Sequence, residues 1–223
     1  MKDETLSMIP IPRISEKGFE SWEELSALLV SDSPLDFKQS WLPKPESHFM
    51  PGSVFLGHDS NFLFGYAILK DQSIFNAASQ KGDKTWEMGD LFEIFIQRED
   101  QSNYGEFHIT PENFHLSLSL PPLESRQGIS IDELLQRYWI ELPEFTSRVW
   151  IEPEQQQWRV VWKLPWAIFG EGKPCSFQWK IAFCRYDYGE KGRAPVLSSV
   201  SPLTQCSFHC PHEWLLFSLN SIL

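Results

Sequence analysis

Long apolar runs, basic runs and Cys-x-x-Cys pairs are all missing from this 223-residue sequence. Lysine and arginine number 19 against 30 aspartates and glutamates, which leaves a formal charge of −11. A surface this acidic repels phosphate backbones and anionic lipid, so we expect no nucleic-acid partner and no membrane partner. No apolar stretch is long enough to cross a bilayer, which agrees with that expectation.

The sequence also lacks an apolar run after Met1, so as written it predicts no signal peptide and a cytoplasmic location. Secretion is expected only if an upstream leader has been trimmed. The four cysteines form no Cys-x-x-Cys pair and are expected to be reduced thiols. No Gly-x-Ser-x-Gly elbow or glycine-rich phosphate loop is present, so acyl and phosphoryl transfer have no support and we do not expect an enzyme.

What the sequence does contain is a succession of short alternating or apolar runs bounded by turn residues. Nine of them predict strands, at residues 53–57, 62–69, 91–97, 104–110, 114–120, 145–151, 158–164, 177–186 and 214–219. Residues 59–61 and 154–156 are typical of hairpin turns, so neighbouring strands should pair antiparallel. This pattern predicts an all-β fold, an antiparallel β-sandwich.

Two short helices interrupt the strands. Ser21 and Ser130 each begin a Ser-x-x-Glu capping box in front of an apolar stripe. Both helices are expected to pack at the edge of the sandwich or to close its ends. Because the first fifty residues have little strand character, we predict an N-terminal extension over residues 1–50 and the sandwich itself over residues 51–223.

The middle of the chain carries the clearest candidate for a functional site. Alternation in strands 91–97 and 104–110 places one set of apolar side chains toward the core and leaves Glu93, Glu106 and His108 together on the opposite face, which we expect to face water. His115 is expected on that face too. Carboxylates and imidazoles can bind the hydroxyls of a sugar, and Trp86, in a loop just before the first strand, could stack on a sugar ring.

These residues resemble a known family. The segments Trp86-Glu87-x-Gly89-Asp90-x-x-Glu93, Tyr104-x-Glu106-Phe107, Trp158-x-Val160-x-Trp162-x-Leu164-Pro165-Trp166 and Phe208-His209-x-Pro211 are similar to the family 9 carbohydrate-binding modules and their DOMON-like relatives, over roughly residues 50–219. The resemblance implies a β-sandwich without catalytic machinery and a sugar site between aromatic side chains. The resemblance implies that Trp86 stacks on a sugar ring and that Glu93 accepts hydrogen bonds from sugar hydroxyls.

The sequence departs from that family at two places. Between Asp187 and Phe208 it has Tyr188 where a second tryptophan is usual, and His108 lies near the position of the family's basic residue. We therefore predict non-catalytic carbohydrate binding, with a mono- or oligosaccharide partner and a site formed by five residues: Trp86, Glu93, Glu106, His108 and Tyr188.

Several alternatives stay open at this point. A DOMON-like domain could hold haem through Met88 with His108 or His115, and a third possibility is a structural or interaction domain without a ligand. Calcium could bind through Asp59, Asp83 or Asp90, although no cofactor and no metal site are the primary expectation. The enzymatic alternative is a glycosidase that uses Glu93 and Glu106 as its carboxylate pair.

Overall fold

The structure, a computed structural model, describes residues 8–14, 18–30, 33–189 and 192–219. Its strands are β1 (Ile9–Ile11), β2 (Leu35–Asp36), β3 (Gly52–His58), β4 (Phe62–Lys70), β5 (Leu91–Arg98), β6 (Tyr104–Ile109), β7 (His115–Leu120), β8 (Thr146–Glu152), β9 (Gln157–Pro165), β10 (Gln178–Asp187), β11 (Val196–Ser199) and β12 (Leu215–Leu219). The helices are α1 (Trp22–Leu29) and α2 (Ile131–Tyr138). All nine predicted strands are present, and each end lies within one residue of its predicted position.

The strands form two sheets. One has seven strands in the order β1-β12-β10-β5-β6-β7, and β11 pairs with the last residues of β10 beside β12. The other has five strands in the order β2-β3-β4-β9-β8. Neighbours pair antiparallel, except β1 with β12. The predicted turns do join β3 to β4 and β8 to β9.

A hydrophobic core fills the space between the two sheets. It takes Ile94, Phe107 and Phe183 from the seven-stranded sheet and Trp158 and Trp162 from the other, all of them fully buried. The predicted alternation of β5 and β6 is therefore correct, and the fold is the antiparallel β-sandwich that the sequence predicted.

One close contact in this core gives a stability prediction. Gly65 on β4 pairs with Trp162 on β9, and a Cβ atom at Gly65 would lie 2.1 Å from the indole ring. We expect Gly65→Ala to lower the free energy of unfolding by about 1–3 kcal/mol, because the buried indole has to move. Urea unfolding measures the loss. In a Trp162→Leu background the same change should cost clearly less, and equal costs in both backgrounds would contradict the prediction.

The capping predictions are correct. The hydroxyl of Ser21 accepts the backbone N–H of Glu24, and that of Ser130 accepts the backbone N–H of Glu133. Helix α1 lies on the outer face of the five-stranded sheet, where Leu25 is buried, rather than at an edge or an end. Helix α2 packs beside β7 at the edge of the seven-stranded sheet.

Residues before 50 contribute more strand than the sequence predicted, because β1 joins the seven-stranded sheet and β2 joins the five-stranded sheet. Of this region, the structure describes residues 8–14, 18–30 and 33–50. The division of the chain at residue 50 stays a prediction. Neither described helix has the length and apolarity to cross a membrane.

The outer face of the seven-stranded sheet is covered, and this arrangement shapes the site. Helix α2 and the segment 203–214 pack on it and form a second apolar cluster around Phe95, Leu118, Leu135, Phe208 and Trp214. The polar groups of β5 and β6 therefore do not face bulk water, contrary to the expectation for a solvated sheet face.

The face assigned to His115 was wrong. In the register of β6 with β7, His108 lies opposite Leu116, so the alternate leucines of β7 share the outer face with the polar cluster. His115 points to the other side, where its ring lies 4.7 Å from that of Phe145. Alternation fixes which residues share a face of a strand, but not which face is inside when both faces are buried.

Candidate functional site

The candidate site begins with the pairing of β5 and β6, which places Glu93 directly opposite His108. Glu106 lies two residues before His108 on the same face. The Nε2 atom of His108 lies 2.8 Å from a carboxylate oxygen of Glu106 and 3.2 Å from one of Glu93. All three side chains are buried, with exposed fractions of 5% or less. The structure thus brings three of the five predicted residues into direct contact.

Trp86 lies beside this cluster on a short 3₁₀ helix, Thr85–Glu87. Its half-buried indole meets the ring of His108 edge to face, with ring centroids 6.0 Å apart. Tyr188 approaches Trp86 from behind, and its hydroxyl donates a hydrogen bond to the Trp86 carbonyl. Tyr188 therefore braces the loop that carries the indole instead of facing it across a ligand.

A cavity of about 420 Å³ opens in front of the cluster. Trp86, Glu93 and Glu106 line it, whereas His108 and Tyr188 are not among its lining residues. Most of the other walls are apolar or aromatic, and they come from the sheet, α2 and the segment 203–214: Phe95, Leu118, Leu134, Tyr186, Leu197 and Phe208. This volume is in the usual range of small-molecule sites, and a few polar groups in an apolar wall are typical of them.

Two basic residues of the cavity were not predicted, Arg126 and His209. A guanidinium N–H of Arg126 donates to the hydroxyl of Tyr104, which in turn lies 2.7 Å from Nδ1 of His209. Nδ1 of His209 is 3.7 Å from the second oxygen of Glu106. His209 belongs to the Phe-His-x-Pro segment of the family resemblance, which was a usable signal, but nothing local marks Arg126.

Burial and mutual repulsion set the charges of the two carboxyls. The pKa of Glu93 is raised well above its usual value, first by burial and then by the neighbouring charge of Glu106. Burial also opposes ionisation of Glu106, but His209, the hydrogen bond from His108 and the charge of Arg126 outweigh it and lower its pKa. The pair therefore favours one protonated and one ionised carboxyl, which offers both a donor and an acceptor to a polar ligand.

The histidines proposed as haem ligands are engaged elsewhere. Nδ1 of His108 lies 2.6 Å from the hydroxyl of Thr85, and Nε2 is held by the two carboxylates. Nε2 of His115 lies 2.6 Å from the hydroxyl of Ser147, on the other face of the sheet. Axial ligation of haem would first have to break these contacts, so the haem alternative gains nothing from the geometry.

The aspartates considered for calcium do not assemble as a group. Asp59 accepts backbone N–H groups in the β3–β4 turn, and Asp83 does the same in the loop 79–83. Asp90 instead lies in a buried cluster with Asp71 and Asp187. The cation of this cluster is Arg185, whose guanidinium lies 3.1 Å from a carboxylate oxygen of Asp71 and 3.1 Å from one of Asp187.

Asp90 also ties this cluster to the candidate site. Its two carboxylate oxygens accept the backbone N–H groups of Phe75 and Tyr188, both at 2.8 Å. Burial and, secondarily, the charge of Asp71 raise the pKa of Asp90 to about 7. Tyr188 in turn contacts the loop of Trp86, so Asp90 anchors the base of the wall that carries the indole.

The raised pKa of Asp90 gives a pH prediction. Above the ordinary pKa of an aspartate, native Asp90 holds a proton that the unfolded chain has released, so this contribution favours folding at low pH and is lost as the pH rises through about 7. Asp90→Asn cannot titrate. From pH 5 to 8 we expect its free energy of unfolding to fall less steeply than that of the wild type, by up to about 1.4 kcal/mol per pH unit.

Urea unfolding at four pH values between 5 and 8 measures the two slopes. Asp36→Asn, at an exposed strand position, serves as the control and should follow the wild type. Equal slopes for wild type and Asp90→Asn would show that the protonation of Asp90 is not linked to folding.

Comparison with known proteins supports the architecture. No protein family matches the sequence, and no curated protein matches it. Among solved structures, a protein of Bacteroides uniformis, provisionally described as carbohydrate-binding, is similar with a TM-score of 0.70 and 19% identity, over 96% of this chain and 99% of that one.

A family 9 carbohydrate-binding module from Caldicellulosiruptor kristjanssonii is similar in two structures. Its complex with cellotriose matches with a TM-score of 0.64 and 12% identity, over 97% of this chain and 95% of that one. Its complex with glucose matches with a TM-score of 0.64 and 11% identity, over 97% of both chains. The chain therefore has the β-sandwich fold of the family 9 carbohydrate-binding modules.

Proposed function

We propose that this chain is a non-catalytic carbohydrate-binding domain and that the sugar occupies the cavity beside Trp86. The observation that carries the proposal is the joint placement of an aromatic ring and two carboxyl groups, Glu93 and Glu106, along one cavity wall. Sugars need this combination, because their ring faces are apolar while their edges carry hydroxyls. The solved structures that share the fold include complexes with cellotriose and glucose.

Each predicted residue has a role in this proposal that follows from its contacts. Trp86 supplies the apolar surface on which the sugar ring stacks, and Glu93 and Glu106 form hydrogen bonds with the sugar hydroxyls. His108 holds both carboxylates in place, with its own ring fixed by Thr85. Tyr188 supports the tryptophan loop. Arg126 also lines the cavity. One of its N–H groups donates to Tyr104, and the others can donate to the sugar.

Stacking on the half-buried Trp86 alone implies modest affinity. A tryptophan on one side provides stacking for one face of a sugar ring, and the hydroxyls exchange water for protein with little net gain. We therefore expect dissociation constants well above those of deeply enclosed sites. The enclosure formed by α2 and the segment 203–214 favours a short ligand or a chain end over a long chain lying flat on the sheet.

The test is a calorimetric titration of the intact protein with glucose, cellotriose and a panel of other mono- and oligosaccharides. In parallel, NMR follows the indole N–H signal of Trp86, identified with Trp86→Phe. Binding heat together with a shift of that signal is the expected result. Binding that leaves the Trp86 signal unchanged would move the site elsewhere, and a complete absence of binding across the panel would favour an interaction domain without a sugar ligand.

A further inference from the structure

The cluster at the base of the cavity has more acceptor groups than its protein donors satisfy. The second carboxylate oxygens of Glu93 and Glu106 are buried and have no hydrogen-bond partner within the described part of the chain. Nδ1 of His209 lies 3.7 Å from the second oxygen of Glu106, beyond hydrogen-bond distance. Buried polar atoms are rarely left unsatisfied, so each of these oxygens points to a missing ligand.

The three inner side chains are also arranged as metal ligands are. One oxygen from each glutamate and a nitrogen of His108 lie within 4.8 Å of one another. The distances from Nε2 of His108 to the two carboxylate oxygens, 2.8 and 3.2 Å, match the spacing of neighbouring ligands around an ion with bonds of about 2.0–2.2 Å. Strands β5 and β6 fix all three side chains on a rigid scaffold.

The imidazole is oriented from behind. Nδ1 of His108 lies 2.6 Å from the hydroxyl of Thr85, so Nε2 is directed at the carboxylates. Histidines that bind metals are commonly held through their other ring nitrogen in this way. The ring of Trp86 packs against that of His108, and the cavity lies in front of both glutamates.

The surroundings of the two carboxyl groups also suit a metal ion. The guanidinium of Arg126 donates to Tyr104, and the common neighbour of both carboxyls is the Nε2 atom of His108. A divalent ion bound between these three side chains would compensate the charge of both carboxylates. The imidazole favours a first-row transition metal over calcium, which prefers six or more oxygen ligands.

We propose that Glu93, Glu106 and His108 bind one divalent transition-metal ion at the base of the cavity, and that hydroxyls of the bound sugar complete its coordination. The metal site stands on the geometry of these residues alone. The coordination of sugar rests on the proposed carbohydrate-binding function. No covalent step is involved, because the ion only orders the ligand and compensates the buried charge.

The first experiment titrates Zn²⁺ into the full chain after chelator treatment and dialysis, with Co²⁺ absorption as a second signal. We expect one bound ion per chain. Glu93→Gln and His108→Gln should each weaken its affinity by at least tenfold, and Thr85→Val by about tenfold through loss of the histidine's orientation. His115→Gln, on the other face of the sheet, should bind as the wild type does.

Circular dichroism establishes that each variant is folded, and the near-isosteric Glu93→Gln remains informative if His108→Gln does not fold. No bound Zn²⁺, or binding that is unaltered by both Glu93→Gln and His108→Gln, would overturn the metal site. The latter result would assign any bound ion to other groups, such as the exposed cysteines Cys175 and Cys206.

The second experiment titrates sugar with Zn²⁺ and with chelator. Stronger sugar binding in the presence of the ion supports coordination by hydroxyls. Equal sugar binding under both conditions overturns the coordination of the ion by sugar hydroxyls and leaves the carbohydrate site in place. Zn²⁺ binding without binding of any sugar in the panel overturns the carbohydrate function and leaves the metal site in place. The two failures are therefore distinguishable.

Discussion

Replacement of Trp86 by alanine is expected to weaken sugar binding by about 2 kcal/mol, which corresponds to roughly 30-fold in affinity. The indole is the aromatic group of the cavity wall next to the carboxyl pair, and it is only half-buried in the free protein. Its removal takes away the apolar surface for the sugar ring but leaves the backbone carbonyl that holds Tyr188. Calorimetry with the best sugar of the panel measures the loss.

The control for this variant is Trp150→Ala, which removes a partly buried tryptophan from the outer face of the five-stranded sheet, remote from the cavity. It should bind sugar as the wild type does. Trp86→Phe should retain part of the affinity, because a smaller ring still covers part of the sugar face. Wild-type affinity in a folded Trp86→Ala would remove this residue from the binding site.

Replacement of Arg185 by methionine is expected to lower the free energy of unfolding by about 3–5 kcal/mol, because it leaves buried carboxylates without their cation. Arg185 is fully buried and contacts Asp71 and Asp187, and it also donates to the backbone carbonyls of Met50 and Lys70. For a chain of this size the melting temperature should fall by about 10 °C or more. Thermal and urea unfolding measure the effect.

The free energy of unfolding that Arg185→Met loses should be larger at pH 8 than at pH 5. Burial, opposed by Arg185, already raises the pKa of Asp187 to about 6, and without the guanidinium that pKa rises further. More stability is then lost as the pH rises through it. Lys81→Met, which breaks an exposed ion pair with Glu141, is the control and should cost less than about 1 kcal/mol. A similarly small cost for Arg185→Met would show that the buried cluster does not stabilise the fold.

Much of the fold could be predicted from local patterns. Period-two alternation and turn residues located nine strands to within one residue, and two capping boxes located both helices. The three missed strands are short, and each is defined by its pairing with another strand: β1 with β12, β2 with β3 and β11 with β10. Nothing within two to four residues reveals such pairing, since it is set by tertiary contacts.

The candidate site was predictable to the extent that neighbouring strands form it. Glu93, Glu106 and His108 meet because β5 and β6 form a hairpin, and alternation alone places them on one face. The burial of that face was missed, because it depends on α2 and the segment 203–214, which approach from distant parts of the chain. Arg126 was missed for the same reason. Tyr188 contacts the tryptophan loop and does not line the cavity, a placement that its local sequence does not reveal.

The position of the last covering segment has a consequence for the order of assembly. The cavity needs residues 206–209, which lie just before β12, as well as Trp86 and the hairpin far earlier in the chain. Such distant contacts form late, after the entropy of closing long loops has been overcome. A nascent chain that ends within β10 could pair β3 with β4 and β5 with β6, but the face that carries the glutamates would still lack its cover from the segment 203–214. The cavity, and with it the proposed ligand recognition, should therefore form only after residues 206–209 have been made, as a property of the completed domain.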